Sequence, residues 1–230
     1  MRDITMQISA GQWGDALRRQ VTRSRPILLF SAVLFVAVMG VAGFMSKWLG
    51  QGIWYFTNDP ATVTEHSWSL GIVSQFGILL WAAAVAVCAL AGALLWPFSE
   101  QRPWALFAHA SAALSMVYLL DDALILHESV LRDHLGIPEL VSYGVYGALG
   151  LAYLLRFAWA IHQTDYVLLL ASLALGGFSM AVDLVNPYLF LLEDGAKFLA
   201  VILWFAYYFQ AMSVILRARL PAQTSRARSV

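Results

Sequence analysis

An acidic pair, Asp121-Asp122, is followed after an apolar Ala-Leu-Ile-Leu run by His127-Glu128. Asp183, Glu193, Asp194 and Lys197 follow further on. Carboxylates and imidazoles drawn from several segments are the donor set of zinc, manganese, iron or calcium. A carboxylate left off such a metal serves as general base towards a bound water. On this reading Asp122, His127, Asp183, Glu193 and Asp194 are candidate metal ligands, and Glu128 and Asp121 are candidate catalytic acid–base groups. Lys197 is expected to offset surplus negative charge beside them. Gln75, at the same level on another segment, is expected to line the same cavity or to hydrogen-bond a neighbouring helix.

Each of these residues also has a plainer role. Glu193 and Asp194 open a helical stretch, where acids are stabilised by the helix dipole. His127, near a helix end, can cap carbonyls. Asp183 ends a helical stretch, where the dipole disfavours an anion, so a cation is expected near it, with Lys197 the candidate. Glu193 and Lys197 are four apart and can pair along one helix. Neither H-E-x-x-H nor Glu-x-x-His occurs, so the helical zinc-protease and di-iron signatures are not met. On one continuous helix Asp121 and Glu128 share a face, while Asp122 and His127 diverge. A site built from all four would need partners from a second helix.

The elements that must position these groups are membrane spans. Of the 230 residues, 60% are hydrophobic and 12% charged. Apolar runs of about twenty residues recur, each long enough to cross a ~30 Å hydrocarbon core. The expected fold is an all-α polytopic membrane protein, a six-transmembrane-helix bundle preceded by an interfacial amphipathic segment. The expected division is a basic amphipathic segment at 1–25, a six-helix domain at 26–217 and a disordered basic tail at 218–230. Spans are expected near 27–46, 69–96, 103–126, 140–161, 165–183 and 194–216. Ser111 with Ser115, and Gly144 with Gly147 and Gly150, mark faces where backbones can approach closely.

Charge sets the orientation. The leader, the 97–102 and 156–165 loops and the tail with Arg217 hold eleven of the fourteen Lys/Arg, and the other connections, with their adjoining helix ends, hold ten of the fourteen acids. The positive-inside rule places both termini in the cytoplasm and the acidic cluster outside, as in a bacterial inner-membrane protein. Basic residues distributed in this way are topology signals, so no nucleic-acid partner is expected. The lone Cys88 lies within a span, which leaves no intrachain disulfide.

The function expected from this placement is a divalent-metal-dependent hydrolase with an outward-facing acidic/His site, acting on a lipid or lipid-linked substrate. Its expected partners are membrane lipids and a lipid-like or small-molecule ligand. The alternatives are a proton- or cation-coupled transporter, and a non-catalytic membrane subunit or sensor.

Overall fold

The structure is a computed structural model that describes residues 35–37, 39–57, 64, 65, 67, 69, 71–185 and 189–220, with isolated positions at 22, 25, 29 and 33. Side chains at 54, 128, 129, 139, 183 and 190 are not described. The leader through residue 21, Asp59, His66, residues 186–188 and the 221–230 tail therefore lie outside the described residues. The chain divides into two compact units, Met1–Leu70 and Gly71–Val230.

In the first unit an apolar helical segment, Phe35–Leu49, is followed by the single turn Trp54–Thr57. Gly50, at φ +66°, takes the left-handed conformation that closes the longer segment. Ser46 Oγ donates across this end to the Gln51 carbonyl at 2.6 Å.

The second unit holds five long helices: α1 (Ile72–Leu95), α2 (Arg102–Leu124), α3 (Glu139–Ile161), α4 (Val167–Val185) and α5 (Phe190–Arg219). A 3₁₀ turn, Ser99–Gln101, leads into α2. Pro103 falls in the first turn of α2, where its missing N–H costs nothing. α5 is the spine: α1 and α4 both pack along it, α1 also packs on α2, and α3 lies against α2.

The four stretches Ile72–Leu95, Ser99–Leu124, Leu140–Ile161 and Leu191–Arg219 are long and apolar enough to cross a membrane. Val167–Val182 and Phe35–Leu49 are apolar but shorter. The chain is thus all-helical among its described residues, with four candidate spanning helices where the sequence suggests six. Large apolar side chains face outward from these helices, as in Leu79, Leu155 and Val167. A surface of that kind suits lipid.

The buried face of α1 is made of small residues, Ala84, Cys88, Ala91 and Gly92. Ala105, Ala108, Ser111 and Ala112 are their counterparts on α2. Such faces let helices approach closely and gain dispersion contacts where no water remains to be expelled. Gly92 is the tightest point: a Cβ there would stand 2.6 Å from the His109 ring. The glycines of α3 behave differently from expectation. A Cβ on Gly144 or Gly147 would meet nothing within 4 Å, while one on Gly150 would reach the Tyr118 hydroxyl at 3.2 Å. Only Gly150 lies at a close helix contact.

Large aromatics from α1, α2, α3 and α5 pack together inside the bundle. Trp81, Tyr118 and Trp204 stand in a mutual cluster with ring centroids 5.4–5.6 Å apart. Their polar ends are satisfied inside the bundle. Trp204 Nε1 donates to Ser115 Oγ at 2.9 Å. Tyr208 donates to the Tyr153 hydroxyl at 2.9 Å, which lies 2.7 Å from Ser111 Oγ. Ser111 and Ser115 are therefore more than spacers: each bonds a side chain from another helix. α4 is tied to α5 in the same way, through Ser172 Oγ to the Ala200 carbonyl (2.7 Å) and Ser179 Oγ to the Glu193 carbonyl (3.0 Å).

Candidate functional site

The C-terminal end of α2 departs from a continuous helix. Leu124 is its last residue, and Ile125 takes a left-handed conformation at φ 49°, ψ 47°. A β-branched residue with positive φ is strained. The chain then enters a π-helical segment, Leu126–His134, which Gly136 closes at φ +67°. Segments of this geometry are rare and occur most often at functional sites.

The reversal at Ile125 folds the new segment back over Asp121. The His127 backbone N–H donates to Asp121 Oδ1 at 3.0 Å, so the carboxylate caps a fresh helical start. His127 Nδ1 lies 2.8 Å from Asp121 Oδ2. Tyr146, on α3, donates its hydroxyl to Asp121 Oδ1 at 2.7 Å. An anion near the end of α2 is unfavourable to that helix, and the opposing start of the π-helical segment offsets the penalty. An ionised carboxylate only accepts hydrogen bonds, so it fixes the proton of His127 on Nδ1 and leaves the lone pair on Nε2. Tyr143 lies against the same imidazole, with ring centroids 5.5 Å apart.

Asp122 faces the other way, towards α1 and α5. Its Oδ1 meets Lys197 Nζ at 2.6 Å, and its Oδ2 passes close to Gly77. Asp121 and Asp194 also act on the Lys197 charge from further off. Asp121, Asp122 and His127 are largely buried, with side chains 10–13% exposed, while Lys197 is about half exposed at 49%. The adjacent acids thus bind different elements, one joining α2 to α3 and the π-helical segment, the other joining α2 to α5.

Two sequence expectations about geometry change here. Lys197 pairs across helices with Asp122, while the expected Asp183 partner lies outside the described side chains. Asp121 and His127, which a continuous helix would turn apart, meet directly because the helix stops at Leu124. Of the remaining candidates, Asp194 and Gln75 are exposed and Glu193 is partly buried. The side chains of Glu128 and Asp183 are not described. Among the described residues no three His, Cys, Asp or Glu side chains gather as a metal-holding group.

Tyr146 was not singled out by sequence reasoning. Its signal was available: Tyr146 and Tyr153 are seven apart on one face of α3, and both turn their hydroxyls onto α2. His109 lies edge-on to Trp96 with ring centroids 5.8 Å apart.

No curated protein and no solved structure matches the chain. The family described as a domain of unknown function (DUF8692) matches residues 16–211, so the chain belongs to that family.

Proposed function

We propose that this protein is a membrane acid–base enzyme whose site opens at the outer surface, with His127 as the proton-exchanging group. The Asp121–His127 pair carries the reading. A buried carboxylate that fixes the tautomer of a neighbouring imidazole is the arrangement that makes histidine an effective general base. Tyr146 holds Asp121 in place, and the Ile125 reversal sets the distance. The depth of the site, at the end of a spanning helix, directs it towards an ester or amide of a lipid or lipid-linked substrate.

In this reading His127 takes a proton from water as the water attacks the carbonyl, then returns it to the leaving group. Lys197 lies close enough to the pair to contribute positive charge near a developing oxyanion. Asp121 and Asp122 are each engaged by donors of the protein itself, which favours this chemistry over a metal held by those two carboxylates. The topology proposed with it has six spans, Phe35–Leu49 and Val167–Val182 being the cores of the two shorter ones. Both termini lie in the cytoplasm of a bacterial cell and the site faces away from it, as the positive-inside count supports.

A second reading is a proton-coupled carrier. Its support is the set of three acids, Asp121, Asp122 and Asp194, around the single Lys197 ammonium. A surplus of negative charge at a low-dielectric boundary takes up protons or cations.

A panel of fluorescent lipid esters and amides, presented to the protein in nanodiscs, separates the two. Hydrolysis reduced about 10²–10⁴-fold in His127→Gln is the expected result. Asp121→Asn should fall with it, and Tyr146→Phe less. No turnover by the wild type across the panel, together with proton-dependent uptake in proteoliposomes, would replace the enzyme by the carrier. Elemental analysis of the same preparations adds a further arm: stoichiometric metal lost in both Asp122→Ala and His127→Ala would return the site to metal chemistry.

A further inference from the structure

At the opposite, basic end of the bundle, a hollow of about 430 Å³ opens between the end of α1 and the first two turns of α2. Ala93, Trp96, Pro97 and His109 line it. It is almost wholly apolar, with one imidazole in its wall. The Arg102 guanidinium stands at its rim, 5.9 Å from the centroid of the Trp96 ring. His109 meets the same indole edge-on. Gly92 is what lets the imidazole sit so close to α1, since any side chain at that position would collide with it.

We infer that this hollow holds the headgroup region of one anionic phospholipid, with the phosphate at Arg102 and the glycerol ester region against His109 and Trp96. Three observations point the same way. Trp96 is 47% exposed, at the level where indoles settle at a membrane interface. Arg102 is exposed and lies over it, so a charged rim stands above an apolar wall. Arg102 and His109 are seven positions apart, two helical turns, so they lie on one face of α2. The Arg102 N–H is already bonded to the Ser99 carbonyl and Pro103 has none, so side chains, Arg102 first, are what would hold the anion. Beside it the buried Oε1 of Gln101 has no hydrogen-bond partner, and turning that carboxamide over would present an N–H donor instead.

Charge around the hollow is complementary to a phosphate. The one acid of the connecting turn, Glu100, is exposed to solvent. Basic clefts between helices at a membrane surface are the usual seats of anionic headgroups. Nothing in this inference depends on the chemistry of Asp121 and His127.

The test is native mass spectrometry of the purified full chain equilibrated with equal amounts of phosphatidylglycerol and phosphatidylcholine. The expected result is one retained phosphatidylglycerol in preference to phosphatidylcholine. Arg102→Gln should weaken that retention about fivefold, the scale of one basic contact at an anionic surface. Trp96→Ala should weaken it as well. Arg217→Gln, which removes the same charge from an exposed position outside the hollow, should leave it unchanged. Equal retention of the two lipids by the wild type would overturn the inference. Equal losses in Arg102→Gln and Arg217→Gln would also overturn it, by reducing the effect to general surface charge. Glycerol phosphate added as a soluble competitor tells a free anion from a lipid: displacement of the lipid at low concentration would point to the free anion and against the lipid.

Discussion

The hydroxyls of Tyr208, Tyr153 and Ser111 form a chain whose direction of donation is fixed by its last member. Ser111 Oγ bonds the Phe107 carbonyl at 2.7 Å, and a carbonyl can only accept. The single Ser111 proton is therefore spent there, so Tyr153 must donate to Ser111 and Tyr208 must donate to Tyr153. Removing the two phenol hydroxyls one at a time then has unequal consequences. Tyr208→Phe deletes the first donor and strands no other donor, a loss of about 0.5–1.5 kcal/mol. Tyr153→Phe deletes the middle of the chain, leaving the fully buried Tyr208 hydroxyl with a proton and no acceptor. That loss adds a desolvation penalty of about 1–3 kcal/mol. The double substitution Tyr153→Phe/Tyr208→Phe removes the stranded donor as well, so it should be less destabilised than Tyr153→Phe alone. Interhelical hydrogen bonds in membranes average about 0.6 kcal/mol, which sets the lower bound of the separation. Reversible unfolding in mixed micelles, followed by tryptophan fluorescence, measures all four states of the cycle. Equal single effects that add in the double variant would refute the assigned order of donation.

Two further outcomes follow from local geometry. Gly92→Ala places a methyl group 2.6 Å from the His109 ring, and should lower the unfolding free energy by about 1–3 kcal/mol as the imidazole is displaced; the double variant with His109→Ala should recover most of it in the same assay. Ile125→Gly relieves a left-handed conformation that costs a branched residue about 1–2 kcal/mol, and should raise the thermal midpoint, since the Ile125 side chain is itself 49% exposed.

The spans were the most legible part of the sequence, because apolar length is additive and needs no knowledge of partners. The 140–161 stretch is matched by Glu139–Ile161, and 69–96 by Ile72–Leu95. The end of α2 was less legible. Nothing in Leu124-Ile125-Leu126 announces a break, as an isoleucine is a poor residue for positive φ. The break is set by tertiary bonds, those of Asp121 to the backbone and ring of His127 and to Tyr146. The partner of Lys197 was hidden for a related reason. Spacing along α5 offers Glu193, while the bond that forms crosses to α2, and cross-helix register is not written in either helix alone. Ser111 and Ser115 were read by size, and their hydrogen bonds depend on Tyr153 and Trp204, which lie 42 and 89 positions further along the chain.

α5 also works as a depth gauge. Lys197 and Arg217 bracket nineteen uncharged residues, and the twenty-residue step between them rises about 30 Å, the thickness of a typical hydrocarbon core. In the topology proposed above, Lys197 rides at the boundary between oil and water, and its bond holds Asp122 at the same height. A thicker bilayer would draw that ion pair beneath the boundary, while a thinner one would leave it hydrated. The lipid composition of the host membrane thereby sets the strength of the bond that joins α2 to α5.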